Sequence, residues 1–242
     1  MLRKWETLPA FMRTDDVRPY YECLKKHQTA LWMKHLFDTM MSSLMLIILL
    51  PVFGVLAAWI KTDSRGPVFY RQKRVTQYGR VFRIYKFRTM VVDADKLGSL
   101  VTVGEDPRIT KTGYFLRKYR LDELPQLINI WKGDMSFVGT RPEVPSYVKE
   151  YTKEMYATLL LPAGVTSEAS IRYKDEAKLL NGAVNVDRVY VEEVLLGKMK
   201  YNLDSIKNFS FFGDIATMFR TIFAVMGKDY SKEEQECKVE KV

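Results

Sequence analysis

Thr39-Met40-Met41-Ser42-Ser43-Leu44-Met45-Leu46-Ile47-Ile48-Leu49-Leu50-Pro51-Val52-Phe53-Gly54-Val55-Leu56-Ala57-Ala58-Trp59-Ile60 contains no charged side chain. As a straight helix it would be about 33 Å long, enough to cross a hydrocarbon core of about 30 Å. A core helix of this length would show a polar face, and a cleaved signal peptide would have its apolar run nearer Met1. The stretch reads as a membrane segment. Both of its flanks are basic, with Lys25, Lys26 and Lys34 before it and Lys61, Arg65, Arg71, Lys73 and Arg74 after it. The positive-inside tendency favours both ends on the cytoplasmic side, which a straight span cannot satisfy. Pro51, near the middle, removes a helical hydrogen bond. A bend there gives two arms of about 15 Å each and a re-entrant hairpin, with Ser42 and Ser43 available to the freed backbone groups. A Pro-kinked spanning helix is the competing arrangement.

The chain of 242 residues is long enough for one ordinary domain with a smaller appendage, which excludes pure disorder. Its 38 Lys and Arg against 29 Asp and Glu give a net charge of +9 and point to anionic partners: nucleic acid, acidic lipid or phosphorylated substrates. Cys23 and Cys237 are too far apart in sequence to suggest a disulfide framework or a zinc site, and fit a reducing compartment. His27 and His35 read as surface or interfacial. The layout is a basic, amphipathic segment over 1–38, the membrane segment over 39–60, a folded domain over 61–227 and a charged, frayed tail over 228–242.

Beyond the membrane segment, Pro67 to Gln72 and Arg80 to Arg88 are β-rich runs around the turn signal Tyr78-Gly79, a short hairpin. Val91 to Leu100 reads as a short helix and Gly104 to Arg108 as a loop. Pro142 starts a further helix through Tyr151, placing Arg141 at its first turn. Asp204 to Val225 reads as amphipathic, with Phe209, Phe211, Phe212, Met218, Phe219, Ile222 and Phe223 forming core rather than a membrane-facing stripe. The fold class is α+β, mostly helical with one hairpin.

Leu116-Arg117-Lys118-Tyr119-Arg120-Leu121-Asp122-Glu123-Leu124-Pro125-Gln126 places two carboxylates behind a run of cations, at the start of a helix expected from near Asp122 to Trp131. Neighbours on a helix point about 100° apart, so the two acids suit different tasks better than a shared proton. Asp122 and Glu123 are the candidate catalytic pair and the candidate metal ligands; a capping Asp with a first-turn Glu is the ordinary alternative. Arg141 can grip a phosphate bidentately or pair with Glu143. Lys86, Arg88 and Arg117 are the other candidate phosphate-binding cations. Arg83 to Arg88, with its interleaved aromatics, also admits a nucleic-acid binder, and the basic face a lipid-binding scaffold.

Tyr85-Lys86-Phe87-Arg88-Thr89-Met90, Asp106-Pro107-Arg108-Ile109-Thr110, Leu121 to Gln126, Gly133-Asp134-Met135-Ser136-Phe137-Val138-Gly139 and Arg141-Pro142 together resemble the bacterial sugar transferases that are monotopic polyprenyl-phosphate phosphoglycosyl transferases. The ordered likeness covers roughly Leu36 to Arg220. It implies a catalytic domain on the cytoplasmic face of the bacterial inner membrane, held by a re-entrant helix in which Pro51 and Ser43 serve the hairpin. It implies transfer of a phosphosugar from a UDP-sugar to a polyprenyl phosphate, with UMP leaving, Asp122 as nucleophile, Glu123 as its acidic partner and Mg²⁺ as cofactor. The expected partners are the UDP-sugar, the polyprenyl phosphate and membrane lipids, with a homodimer left open and no nucleic acid. This chain departs from the family at Thr140, where many members have proline, and at Leu161 to Ser167, where a family arginine is missing. Asp204 falls in a C-terminal match without an assigned role.

Overall fold

The computed structural model describes residues 2–94, 106–174 and 186–226. Helices α1 (Arg18–Lys25) and α2 (Gln28–Asp63) lead into an antiparallel hairpin, β1 (Phe69–Val75) and β2 (Val81–Phe87). Next come α3 (Lys111–Lys118), α4 (Gln126–Trp131), β3 (Met135–Val138), α5 (Pro145–Val148), β4 (Ala163–Thr166) and α6 (Glu168–Arg172). Helices α7 (Val186–Val189), α8 (Leu196–Lys207) and α9 (Phe211–Val225) follow, with a π-turn at Tyr190–Leu195. The α+β reading holds, with one long apolar helix near the N-terminus.

The hairpin pairs Phe69 with Phe87 and Val75 with Val81. Tyr78 and Gly79 close it with φ of 59° and 77°, a left-handed turn in which glycine carries no steric penalty. Alternation along β2 puts Lys86 on the face of Phe82 and Ile84, both buried, so this lysine is carried inward. The buried Asn129 of α4 then acts as a surrogate strand: its Oδ1 accepts from the Tyr85 amide at 2.9 Å and its Nδ2 donates to the Arg83 carbonyl at 3.0 Å. The turn that precedes α4 is thereby fixed against the hairpin. A second sheet, unforeseen in the sequence, pairs β3 and β4 in parallel. Just past β3 the two backbones touch: a Cβ on Gly164 would lie 2.1 Å from the Gly139 nitrogen.

Helix α2 is longer than the uncharged stretch and helical through Pro51. One face packs along the domain. Phe37, Met41, Met45, Leu46 and Leu49 meet a core containing Leu127, Ile130 and Phe137. Farther along, Phe53, Leu56 and Ile60 meet Phe87 and Leu116. Leu44, Ile47, Ile48, Leu50 and Val55 on the other face are exposed. Both ends are bonded to the domain: Lys34 Nζ donates to the Val138 carbonyl at 2.8 Å and pairs with Asp214, while the Thr112 amide donates to Asp63 Oδ2 at 3.0 Å. Ser42 and Ser43 both donate to the Thr39 carbonyl, not to the carbonyl of Ile47 that Pro51 leaves without its helical partner.

Other expectations change. The N-terminal segment is no separate appendage, because Met12, Val17, Tyr20 and Leu24 share a core with Ala157, Leu160 and Phe209. The helix expected from Pro142 begins only at Pro145 and ends at Val148, with Val144 in extended conformation as its N-cap; Arg141 is not at its first turn. The Asp204 to Val225 stretch breaks between α8 and α9, where Ser210 caps the new helix. Phe209 is buried, but Phe212, Phe219, Ile222 and Phe223 are exposed rather than core. Val91 to Ala94 forms a turn, and the rest of the helix expected there, like the 228–242 tail, lies outside the described residues.

Candidate active site

Arg120 adopts a left-handed conformation, φ 56°, which ends the approach from α3 and starts a 3-10 turn over Leu121–Glu123. The two acids thus sit on a tight turn ahead of α4 rather than in the helix itself. At 8% exposure, Asp122 is almost buried, yet its carboxylate makes no hydrogen bond or ion pair among the described residues. Glu123 is fully engaged. Its Oε1 accepts from Lys86 at 2.9 Å and from Arg141 at 2.5 Å, and Oε2 lies 3.4 Å from Arg141 Nη1.

The environments push the two carboxyls apart. Burial raises the Asp122 pKa and Glu123 adds to it, while Lys86, Arg117 and Arg141 pull the other way. Burial would raise Glu123 too, but Arg141 and Lys86 overcome it and hold that carboxyl well below its usual range. Two acids with separated proton affinities, one engaged and one open, are suited to two roles. The open one can act as a nucleophile; the paired one holds cations where a phosphate would lie.

Arg117 is oriented by its Nε donating to Thr89 Oγ1 at 2.9 Å, and lines a cleft of about 530 Å³ with Asp122, Glu123, Lys86 and Arg141. The structure therefore brings together Asp122, Glu123, Lys86, Arg117 and Arg141. Arg88 is turned elsewhere: its Nη2 donates to the Ser64 carbonyl at 2.6 Å and to Ser64 Oγ at 2.9 Å, fastening the end of α2. Its Nε and Nη1 are buried without a partner among the described residues, and the residue borders a neighbouring cleft with Arg108 and Arg117. Asp204 is exposed on α8, accepts from Asn208 at 2.9 Å and lines a different cavity.

Sequence reasoning missed several residues in the cleft walls. Arg74 donates to the Pro142 carbonyl at 3.0 Å and steadies the loop carrying Arg141. Its inward position on β1 follows from the same alternation that places Lys86. Tyr190, Lys198 and Glu143 form a buried group, with Tyr190 donating to Glu143 at 2.7 Å. Nothing in the sequence signalled that the C-terminal third supplies this wall.

Among the described residues no cluster of three or more His, Cys, Asp or Glu side chains is assembled for a metal. Of the acid pair, Asp122 offers a hard oxygen that is not already bonded, whereas both Glu123 oxygens are taken by Lys86 and Arg141. Mg²⁺ commonly takes one or two carboxylates and completes its shell with substrate phosphate and water, so the residues fit that ion together with a phosphorylated ligand.

The fold is a long apolar helix docked on an α+β domain, with a buried acid pair ringed by cations. Residues 29–228 match the family described as Bacterial sugar transferase, and the chain belongs to that family. It is 40% identical over 146 residues to the Putative undecaprenyl-phosphate N-acetylgalactosaminyl 1-phosphate transferase of Bacillus subtilis (strain 168), covering 60% of this chain and 80% of the relative. It is 34% identical over 194 residues to the UDP-N-acetylgalactosamine-undecaprenyl-phosphate N-acetylgalactosaminephosphotransferase of Aeromonas hydrophila, covering 77% of this chain and 43% of that one. With the UDP-glucose:undecaprenyl-phosphate glucose-1-phosphate transferase of Escherichia coli (strain K12) it shares 33% over 196 residues, 79% of this chain and 39% of the relative. The chain thus spans less than half the length of the latter two.

Proposed function

We propose that the protein transfers a phosphosugar from a UDP-sugar to a polyprenyl phosphate, such as undecaprenyl phosphate, at the cytoplasmic face of the bacterial inner membrane, as an early membrane step of glycan assembly. The observation that carries this reading is the contrast within the acid pair: Asp122 buried and unpaired, Glu123 saturated by Lys86 and Arg141. An Asp122 oxygen attacks the sugar-bearing phosphorus, forming an acyl phosphate as the bond to the bridging oxygen breaks, and UMP leaves with that oxygen. A phosphate oxygen of the lipid then attacks the same phosphorus, and the Asp122 carboxylate departs regenerated. An anionic attack on an anionic phosphoryl group needs its charge neutralised, which Arg117, Lys86 and Arg141 can do at no reorganisation cost. Mg²⁺, for which Asp122 is the carboxylate left unbonded, would supply further neutralisation of that charge when bound.

The membrane arrangement belongs to the same proposal. Lys34 and Asp63, near opposite ends of α2, are bonded to one polar domain, which supports a re-entrant helix over a span, since a span would put its ends on opposite sides of the bilayer. The relatives' names carry different sugars, so the donor is read by experiment: UMP release across a panel of UDP-sugars, with and without polyprenyl phosphate and Mg²⁺. Release that requires a particular UDP-sugar, with the label appearing on the lipid, is the expected result. No turnover of any donor, with steeply salt-dependent polynucleotide binding instead, would favour the nucleic-acid reading.

A further inference from the structure

Gln126 lies three residues beyond Glu123, at the start of α4, and is 1% exposed. Neither its amide nitrogen nor its amide oxygen has a partner among the described residues. Buried amides are normally satisfied, so an orphan of this kind calls for an explanation. Gln126 borders a cleft of about 510 Å³ that opens into the cation-lined one, the two sharing Lys118, Arg120, Glu123, Arg141, Ser170 and Lys174. Its walls are apolar: Met45 from α2, Leu127 and Ile130 from α4, Phe137 from β3, Val165 from β4 and Ile171 from α6. Ala224 and Val225 of α9 extend them toward the exposed apolar face of that helix. Lys118, Arg120 and Lys174 stand at the polar end.

An apolar trough that runs from two apolar helices to a cationic end beside the catalytic pair matches one ligand shape: a long hydrocarbon with a single terminal phosphate. A nucleotide sugar, polar throughout, would leave those walls wet. We propose that this cleft seats the acceptor, with the isoprene units nearest the phosphate against Met45, Leu127, Phe137 and Val165, the phosphate facing Lys118, Arg120 and Lys174, and the Gln126 amide donating to it. The assignment rests on the transferase reading above. The donor then occupies the side lined by Lys86, Arg108 and Arg117, and once UMP has left, the acceptor's phosphate reaches the phosphosugar on Asp122 from the shared cationic end.

Steady-state kinetics of the full chain in nanodiscs provide one test. Gln126→Met keeps the side chain's length and removes the amide. It should raise the KM for undecaprenyl phosphate at least tenfold, while the KM for the UDP-sugar moves less than twofold. Val165→Trp, which fills the trough from its far wall, should do the same. A merely structural role for either residue predicts parallel changes in both constants or in neither, and either pattern overturns the proposal.

The second test needs no turnover. A polyprenyl phosphate carrying a diazirine on the isoprene unit next to the phosphate is photolysed in nanodiscs with the wild-type chain. Adducts on Met45, Leu127, Phe137 or Val165 are expected; adducts confined to Leu44, Ile48 or Val55, on the outward face of α2, overturn the seat. If the wild-type chain turns over no UDP-sugar, the transferase reading fails, and the position of the adducts still decides whether the cleft takes the lipid.

Discussion

Asp122 and Glu123 differ by one methylene and one position, yet the fold gives one three nearby cations without a bond and the other two bonded ones. Asp122→Asn removes the nucleophile and should lower transfer by on the order of 10³-fold or more, with fold and membrane association intact by circular dichroism and flotation. Steady turnover by this variant would end the nucleophile assignment. Glu123→Gln leaves Lys86 and Arg141 facing a neutral amide in a buried site, which should cost about 3 kcal/mol of stability and shift the Mg²⁺ concentration dependence of transfer. An unchanged Mg²⁺ profile would count against its metal role.

Asp106 offers a test by pH. Its carboxylate accepts from Arg108 Nε at 2.9 Å and Nη2 at 2.6 Å, and Arg108 holds its pKa below the ordinary carboxylate value despite burial. A depressed folded-state pKa means stabilisation that is present above the unfolded value and lost as pH falls through the folded one. Asp106→Asn should therefore lower Tm at pH 7, with the gap to wild type closing in acid below about pH 4. The acid pair was legible because its residue types and spacing carry the chemistry. Arg88 was not, since the Ser64 carbonyl and hydroxyl that hold it are remote in sequence. Gln126 gave no signal, because an orphaned amide is visible only once its surroundings are known.

Among the elements, the uncharged part of α2 and the hairpin could be read directly: an uncharged run and β-rich segments around the Tyr78-Gly79 turn are local properties. The parallel pairing of β3 with β4 and the packing of α1 into the core depend on contacts across the chain, so no local pattern announced them. The exposed phenylalanines of α9 read as core from sequence because an apolar stripe looks the same whether protein or lipid covers it. The joint between α2 and α9 is a buried ion pair, Lys34 with Asp214. Lys34→Met alone should destabilise by about 3–5 kcal/mol, whereas Lys34→Met combined with Asp214→Leu should recover most of that loss in a denaturant titration.

The topology is best tested at His35 and Lys61, both exposed, because Lys34 itself is buried. Single cysteines there, with Cys23 and Cys237 replaced, should resist an impermeant reagent in intact cells and react after lysis. Pro51→Leu should move a measurable fraction to a spanning form, since it removes a penalty of about 3 kcal/mol from a straight helix. A population that stays wholly protected would show that the docked ends, rather than the proline, keep the flanks together.

At the scale of the molecule, the net charge of +9 and the exposed apolar faces of α2 and α9 suit the proposed seat on an anionic bilayer. The bonds at Lys34 and Asp63 then set more than topology. A single anchor would let the domain bob, but two fixed points clamp the helix to the domain, so on the proposed function Asp122 and Glu123 would ride at a constant height above the acyl chains. The lipid must come to that height. In bilayers a few ångströms thinner or thicker, the mismatch falls on the membrane and on the acceptor's headgroup rather than on the protein. The turnover number in nanodiscs should accordingly peak at one acyl-chain length and decline on either side, making the enzyme a gauge of bilayer thickness.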